Sequence, residues 1–369
     1  MFIAIIGSTS SGKEEVASYL IRTMGFTRLH ISNTNAVTTQ GDLAFQSTKS
    51  ILEYVTPRWR TNFVTTDVTS PVNLYLLWKR PFVLVVGIDA PTGTRYSRHC
   101  AKRIAHHEEP ITLEKFVELD DRTMYACEDP PRGAQAVSDL AKELDIGICL
   151  AADAEPQPLL SSIIRNASAA HELNLKRVLA SANVSIANTF DTLAGLYAYL
   201  EHIDLTNPER IRPSWDTYFM LLSELASHRA NCMKRKVGCI LVKDNQIIAT
   251  GYNGTPKGIT NCNEGGCPRC NDGTPCGVSL DHCLCIHAEE NALLEAGRGR
   301  VRNAVDVVLY CNTCPCLGCA KKIVQVGVKV VVYSKGYGMD ELTLKLFKEA
   351  KIVVRQHTPP TISMEIGSP

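Results

Sequence analysis

The stretch that decides the fold of the last third of this chain is residues 287–319, which read HAEENALLEAGRGRVRNAVDVVLYCNTCPCLGC. Its apolar pattern predicts a helix over His287–Ala296, a strand over Val305–Cys311 and a helix over Cys316–Val326. Histidine, glutamate and cysteine stand where the two helices are expected to begin. The stretch therefore predicts a metal site formed where two helix starts meet.

Three side chains of this stretch are expected to hold a zinc ion: His287, Cys316 and Cys319. A catalytic zinc has three protein ligands and keeps one position for water. Cys316 and Cys319 are three residues apart, so both thiolates are expected on one helical face. Pro315 fits the first turn of that helix, where its missing N–H costs nothing.

A carboxylate two residues after His287 points to catalysis. The pattern H-x-E followed by P-C-x-x-C is similar to the signature of the zinc-dependent nucleobase deaminases, in which the glutamate is the general acid and base. Glu289 is then expected to move a proton from the attacking water to ring N3 of a cytosine, and later to the departing ammonia. The alternative is a structural zinc with Cys311 or Cys314 as fourth ligand, a site that has no use for the carboxylate.

Residues Cys232–Tyr333 resemble the deoxycytidylate (dCMP) deaminases, and the two-part layout resembles their fungal form. The resemblance is carried by Lys236-Val237-Gly238, Gly251-Tyr252-Asn253-Gly254-Thr255-Pro256, His287-Ala288-Glu289-Glu290-Asn291-Ala292 and Pro315-Cys316-Leu317-Gly318-Cys319. It implies a cytidine-deaminase-like αβα domain with a five-stranded mixed sheet.

It also implies conversion of dCMP to dUMP for thymidylate synthesis, by a homo-oligomer such as a hexamer. Activation by dCTP and inhibition by dTTP, with Mg²⁺ accompanying these nucleotides, are part of the same expectation. Another cytidine or cytosine deaminase, or a zinc-stabilised nucleotide-sensing protein, is the alternative.

Two further residues are candidates for binding the nucleotide. The resemblance places Asn253 against the sugar, and an asparagine in a glycine-flanked turn can also offer its amide to a ligand. Arg298 follows the predicted catalytic helix and suits phosphate recognition, although a cation there also complements the helix dipole.

A second metal is expected in the loop before His287. Of the 15 cysteines, 12 lie between Cys232 and Cys319, and such clustering without a secretory context indicates metal binding. The resemblance implies a structural zinc held by Cys232, Cys262 and Cys285. Either Cys267 or Cys270 could supply the fourth ligand, and the sequence does not decide which four cysteines bind.

The N-terminal part contains Gly7-Ser8-Thr9-Ser10-Ser11-Gly12-Lys13, which fits the P-loop between a predicted strand and a predicted helix. Gly7, Gly12 and Lys13 are its candidate residues. Glu14 stands where a hydroxyl should bind Mg²⁺, so the loop is expected to be degenerate. The segment resembles small P-loop kinases, also through Gly87–Pro91 followed by arginines. An inactive relic used for assembly is favoured over a regulatory nucleotide site, and an active kinase ranks last.

A chain of 369 residues exceeds what one core usually organises. We expect a P-loop kinase-like parallel α/β domain over 1–205, a linker over 206–213, a deaminase domain over 214–357 and a disordered tail over 358–369. Strands over Phe2–Ile6, Pro81–Gly87 and Ile146–Leu150, with a helix over Glu14–Met24, carry the first part of this prediction.

The net charge of +1 argues against a polynucleotide partner and favours a small nucleotide. Met1–Gly7 has no basic segment before its apolar run, so we expect a buried strand and not a signal peptide. No apolar stretch of the sequence is long enough for a bilayer span. The expected location is the cytoplasm, with the nucleus as a second compartment.

Overall fold

The computed structural model describes residues 1–32, 42–68, 71–125, 174–180, 182–275, 277–301, 307–336 and 341–360. The chain divides into two compact units, Met1–Arg212 and Pro213–Pro360, and each unit contains one sheet. The predicted strand Ile146–Leu150 and the tail beyond residue 360 lie outside the described residues. Within the described residues, no helix combines the length and the apolar character that a membrane span requires.

The first unit is a parallel six-stranded sheet with helices. Its strands are β1 (Phe2–Gly7), β2 (Thr27–Ile31), β3 (Leu43–Phe45), β4 (Phe63–Thr65), β5 (Val83–Asp89) and β6 (Val184–Ala187). Its helices are α1 (Lys13–Met24), α2 (Thr48–Val55), α3 (Pro71–Trp78), α4 (Thr92–Ala105), α5 (Leu113–Tyr125), α6 (Leu175–Ala180) and α7 (Leu193–Ile203), with 3₁₀ turns at Thr56–Arg58 and Pro208–Arg210. The strand order is β3-β2-β4-β1-β5-β6. The central strands β1 and β5 are buried on both faces, which explains their continuous apolar runs.

The second unit is a mixed five-stranded sheet. Its strands are β7 (Gly238–Lys243), β8 (Gln246–Tyr252), β9 (Val307–Thr313), β10 (Val330–Lys335) and β11 (Val353–Gln356). Its helices are α8 (Trp215–Ser227), α9 (Pro268–Asn271), α10 (Ala288–Val301), α11 (Leu317–Val326) and α12 (Glu341–Glu349), with 3₁₀ turns at Cys262–Glu264 and Leu280–His282. The order is β11-β10-β9-β7-β8, with β7 antiparallel to both neighbours and β9, β10 and β11 parallel. The predicted α/β class, with one parallel and one mixed sheet, is confirmed.

Two local features of this unit fix how its elements meet. Asp244 and Asn245 both have positive φ, 52° and 58°, as a tight β7–β8 hairpin turn requires. At Gly251 in β8, a Cβ atom would lie 2.2 Å from the carbonyl oxygen of Ala288, so α10 packs directly on the backbone of that strand. Several boundary predictions were wrong: α11 begins at Leu317, so Pro315 precedes the helix and Cys316 is its N-cap. The preceding elements also end later than predicted, α10 at Val301 and β9 at Thr313.

Candidate active site

The expected ligands of the catalytic zinc come from two helix N-termini. The carbonyl of His287 accepts a hydrogen bond from Asn291 N at 2.9 Å, which places His287 at the start of α10. Cys316 caps α11 in an extended conformation, and its carbonyl accepts from Ala320 N at 2.8 Å. Cys319 lies in the first turn of α11. The two helix starts therefore bring one imidazole and two thiols together, as the sequence predicts for this pair of elements.

The spacing of these atoms fits a zinc ion. Nδ1 of His287 lies 3.4 Å from Sγ of Cys316 and 3.4 Å from Sγ of Cys319, and the three donor atoms all lie within 4.8 Å of one another. Zn–N and Zn–S bonds in tetrahedral geometry put nitrogen and sulfur about 3.6 Å apart. His287 and Cys316 are exposed whereas Cys319 is buried, so the site has one open side. One imidazole and two thiolates leave a fourth position for water or substrate.

The electrostatics of the two thiols differ. Hydrogen bonding from Cys319, followed by that from His287, lowers the pKa of Cys316 to about 3. The same contact with Cys316, together with burial, raises the pKa of the Cys319 thiol. Cys319 therefore keeps its proton when Cys316 has lost its own. A bound metal ion would displace that proton, because thiols coordinate metals as thiolates. Cys316 also stands at a helix N-terminus, where the helix dipole favours negative charge.

Glu289 lies inside this site and is only 4% exposed. Burial raises its pKa to about 7, although His287 and a hydrogen bond from Cys319 act in the opposite direction. The next residue, Glu290, is different, since its carboxylate reaches Nζ of Lys322 at 2.6 Å and is partly exposed. One carboxyl of the pair therefore stays in the metal site while its neighbour forms a surface ion pair.

The two cysteines considered as a fourth ligand do not join the site. Cys311 is fully buried in β9 and stands opposite Cys239 of β7, and burial raises its pKa. Cys314 directs its thiol to the carbonyl of Pro315 at 3.9 Å. Among the described residues, the group around His287 contains only Cys316 and Cys319. This donor set favours an open, catalytic site.

Asn253, predicted to contact the sugar, is 7% exposed and oriented by the backbone. Its amide oxygen accepts from Val237 N at 2.9 Å, and its amide nitrogen donates to Arg235 O at 2.8 Å. The following Gly254 pairs with Ile286 in an isolated bridge directly before His287. The structure therefore ties the turn of Asn253 to the zinc ligand, while the sugar contact itself stays a prediction.

Arg298 is not brought to the zinc site of its own chain. It lies beyond Gly297, where α10 is kinked (φ 65°, ψ 154°), and its side chain is exposed. The eight residues from Glu289 to Ala296 alone span roughly 10 Å of helix. A phosphate-binding role for Arg298 stays a prediction.

The cysteine-rich loop forms a second sulfur cluster. Cys262 and Cys267 are fully buried, Cys270 is 5% exposed, and the remaining members pack against them: Cys232, Cys283 and Cys285. Two groups of four have all sulfurs within 4.8 Å of one another, Cys232/Cys262/Cys270/Cys285 and Cys267/Cys270/Cys283/Cys285. The first group contains the three predicted ligands with Cys270 as the fourth, and the second group includes Cys283, which the sequence interpretation missed. The C-x-C pair of Cys283 and Cys285 was the signal for it. Cys276 lies outside the described residues.

In the first unit, the P-loop-like segment joins β1 to α1. A Cβ at Gly7 would lie 2.3 Å from the Ile88 carbonyl oxygen, and Gly12 has φ of 106°, so both positions need glycine. Lys13 begins α1, and burial lowers its pKa, an effect that Glu14 and Asp67 partly offset. Gly12, Lys13 and Glu14 line a cavity of about 930 Å³ whose existence the sequence could not reveal.

Comparison with known proteins agrees with this site. Residues 213–335 match the family described as "Cytidine and deoxycytidylate deaminase zinc-binding region". The deoxycytidylate deaminase of Schizosaccharomyces pombe is 42% identical over 98% of this chain and 99% of its own length. That of Saccharomyces cerevisiae is 37% identical over 96% of each chain. The crystal structure of dCMP deaminase from cyanophage S-TIM5 with dCMP and dUMP is 31% identical, covers 40% of this chain and 98% of that one, and has a TM-score of 0.31.

The fold and the site define a zinc-dependent deaminase. Because the similarity extends over nearly the full length of both yeast proteins, the chain belongs to the deoxycytidylate deaminase family. These alignments also cover the first unit, so both yeast relatives share this N-terminal part with the chain.

Proposed function

We propose that this protein hydrolyses dCMP to dUMP and ammonia, with one water consumed per turnover, and so supplies dUMP for thymidylate synthesis. The observation that carries the proposal is the buried carboxyl of Glu289 beside the three donor atoms of His287, Cys316 and Cys319. A structural site has no need for that carboxyl. Membership in the deoxycytidylate deaminase family supports dCMP as the substrate.

The residues of the site divide the work between them. His287, Cys316 and Cys319 would hold Zn²⁺, which supplies Lewis-acid activation of a water molecule. Glu289 takes a proton from the attacking water and passes it to ring N3, and it then moves the remaining proton of the new C4 hydroxyl to the amino group, which leaves C4 as ammonia. Its burial keeps bulk water from competing for the proton, and its position at the start of α10 fixes it relative to His287. The turn of Asn253 is the proposed sugar contact.

The test is ammonia release from dCMP, deoxycytidine, CMP and single-stranded DNA, measured with the wild-type protein and with Glu289→Gln. We expect turnover of dCMP that depends on Glu289. Turnover of another substrate alone would replace dCMP while keeping the zinc chemistry. A Glu289→Gln variant with wild-type turnover would overturn the mechanism.

Several finer features belong to the same proposal. We propose activation by dCTP and inhibition by dTTP, both with Mg²⁺, in a homo-oligomer such as a hexamer. The same ammonia assay with each triphosphate, combined with light scattering to measure the mass of the assembly, tests them together.

A structural zinc centre in the cysteine-rich loop is also proposed, supported by the two sulfur groups. The proposed location is the cytoplasm, with the nucleus as a second compartment, and microscopy of a tagged chain tests it.

A second candidate function concerns the first unit, as a P-loop-like site for the phosphates of a nucleotide. In the sheet, β2, β3 and β4 lie on one side of β1, and β5 and β6 lie on the other side. The glycine loop that follows β1 therefore occupies a topological switch point. The cavity there is lined by the loop and by basic side chains of α4 and its C-cap: Arg98, His99, Lys102, Arg103 and His106.

Buried polar atoms without a partner favour this candidate over a role in assembly alone. Ser11 and Asn188 line the cavity and are 0% and 3% exposed, yet Oγ of Ser11 and Oδ1 of Asn188 make no hydrogen bond to any described residue. Nη1 of Arg98 likewise has no hydrogen-bond partner within the part of the chain that the structure describes. Orphaned polar groups cost about 1–3 kcal/mol each, so a polar ligand that satisfies them would stabilise the unit.

Glu14 argues against kinase activity and not against phosphate binding. Its carboxylate is held by Arg28 and accepts from Thr66 Oγ1 at 2.8 Å, which neutralises the charge that would repel phosphates. It still offers no hydroxyl for Mg²⁺. This unit is therefore proposed to bind a nucleotide without transferring its phosphate.

Calorimetric titration with ATP, dCTP, dTTP and tripolyphosphate tests this candidate in the wild type and in Lys13→Ala. The matched control is Lys115→Ala, since Lys115 lies in α5 and pairs with Glu118 at the surface. Losing one charge-assisted contact should weaken binding about tenfold or more. Equal affinities in the wild type and Lys13→Ala, or no binding at all, would overturn the candidate. Phosphate transfer to dCMP or dUMP would restore the kinase interpretation.

A further inference from the structure

The six cysteines of the loop form two tetrahedra that share an edge. Cys270 and Cys285 occur in both groups of four sulfurs. The pair Cys232 and Cys262 completes one group, and the pair Cys267 and Cys283 completes the other. A single four-sulfur zinc site does not require a second group of four sulfurs that includes the same two cysteines.

The distances match metal coordination and exclude disulfides. Sγ of Cys270 lies 3.9 Å from that of Cys232, 3.8 Å from that of Cys283 and 4.0 Å from that of Cys285. A disulfide needs about 2.05 Å. Two thiolates bound to one tetrahedral zinc lie about 3.8 Å apart, given a Zn–S bond of about 2.3 Å. Cys270 has this spacing to members of both groups.

One zinc ion would leave part of the cluster unexplained. If it took the first group, Cys267 would stay buried and without a metal, although it is 0% exposed. If it took the second, the same would hold for Cys262, also 0% exposed. In either case two thiols would remain in contact with a dianionic tetrathiolate centre.

We propose that these six cysteines hold two zinc ions, with Cys270 and Cys285 as bridging thiolates. Cys232 and Cys262 complete the coordination of one ion, and Cys267 and Cys283 that of the other. Zn₂Cys₆ centres are known from unrelated DNA-binding modules, so the composition is chemically established. This proposal refines the structural zinc centre proposed above and does not depend on the reaction at Glu289. It sets the total at about three zinc ions per chain, one catalytic and two structural.

The surroundings compensate the charge of such a centre. Two Zn²⁺ ions and six thiolates carry a net charge of about −2. Met233 N donates to Sγ of Cys262 and Leu284 N donates to Sγ of Cys267, each at 3.4 Å. The Arg269 guanidinium lies beside Cys283 and Cys270. Hydrogen-bond donors and a cation therefore face members of both pairs and one bridge.

The position of the centre gives it a role at the active site. Cys285 lies two residues before His287, and the intervening Ile286 pairs with Gly254, next to Asn253. The loop has little apolar core of its own, because Ile259, Val278, Leu280 and Leu284 are all between 46% and 60% exposed. Metal coordination is therefore what orders the segment that holds His287 in place.

The test is zinc stoichiometry of the purified full chain, by elemental analysis and native mass spectrometry. We expect about three zinc ions per wild-type chain and about two in Cys267→Ser and Cys283→Ser. Cys270→Ser, which removes a bridge, should retain about one. The control Cys100→Ser, in α4 of the first unit, should keep the wild-type number.

Two zinc ions in the wild type, with no loss in Cys283→Ser, would overturn the proposal in favour of a single site at Cys232, Cys262, Cys270 and Cys285. If the serine variants do not fold, X-ray absorption of the wild type decides, because only a bridged pair gives a zinc–zinc scattering path. Absence of that path contradicts the proposal. The deaminase assay is separate: three zinc ions without dCMP turnover would reject the reaction while keeping the binuclear centre.

Discussion

At the scale of single residues, Glu289 and Glu290 are neighbours in sequence with different environments. Glu289 is buried beside the zinc ligands, whereas Glu290 pairs with Lys322. Glu289→Gln keeps the shape of the side chain but cannot carry a proton. General acid–base catalysis contributes roughly 10²–10⁴-fold, so kcat for dCMP should fall by about that factor, as steady-state ammonia release will measure.

Glu290→Gln is the matched control. It removes one partly exposed ion pair, worth about 0–1 kcal/mol, and should leave kcat and zinc content within about twofold of the wild type. Zinc content must also be unchanged in Glu289→Gln, because glutamate is not a ligand. An equal loss of activity in both variants would mean that the charge of the helix start matters and not proton transfer.

The meeting of the candidate zinc ligands could be predicted from sequence because their geometry is local. His287 and Glu289 belong to one helix start, and Cys316 and Cys319 to another, so spacing alone carried the information. For Cys283 the C-x-C pair with Cys285 is a local signal, but spacing does not tell which other cysteines it meets. Its neighbours depend on how an irregular loop folds back on itself, and no periodicity describes such a path.

At the scale of elements, the close packing of α10 on β8 depends on one glycine. In Gly251→Ala the new Cβ would meet the backbone of Ala288 at 2.2 Å and that of Ala292 at 2.5 Å. Overpacking of this kind costs roughly 1–3 kcal/mol. We expect a lower thermal midpoint in calorimetry, with loss of catalytic zinc, because Ala288 lies between His287 and Glu289.

Gly299→Ala is the control for this substitution. Gly299 lies in the last turn of α10, beyond the kink at Gly297, and a Cβ there would meet no atom of the described residues within 4 Å. Replacing a helical glycine with alanine typically stabilises by about 0.5–1 kcal/mol. A midpoint that falls equally in both variants would show that the helix, and not its approach to β8, is sensitive.

The cysteine-rich loop is expected to lose its order without metal while the sheet keeps its own. The apolar core of the second unit is formed by residues of the sheet and its helices, such as Leu241, Leu309 and Ile323, and does not include the loop cysteines. After treatment with a thiol-compatible chelator, limited proteolysis should cut first between residues 254 and 285. Added zinc should restore protection. Cleavage of the sheet strands at the same rate would contradict this separation.

At the scale of the whole molecule, the sequence predicted the fold class but not the long-range partnerships. The strands β1 and β5 could be predicted because burial on both faces of a strand produces a continuous run of apolar residues in the sequence. The bond from Asn188 Nδ2 to the Ser11 carbonyl oxygen, at 2.8 Å, joins residues 177 positions apart. The cavity of the first unit depends on such contacts between distant parts of the sequence, and no local sequence pattern indicates them.

The charge of the whole molecule leads to a last prediction, on polynucleotide binding. Affinity for single-stranded DNA comes mainly from basic side chains that displace counterions, and the net charge here is only +1. Fluorescence anisotropy of a labelled oligodeoxycytidylate should show no binding at micromolar protein in near-physiological salt, under conditions in which dCMP is turned over. The informative comparison is low salt, because weak contacts with basic patches such as that of α4 would appear there and vanish as salt rises. Salt-resistant binding of the oligonucleotide would instead require a specific groove, and would favour the polymer deaminase over the nucleotide deaminase.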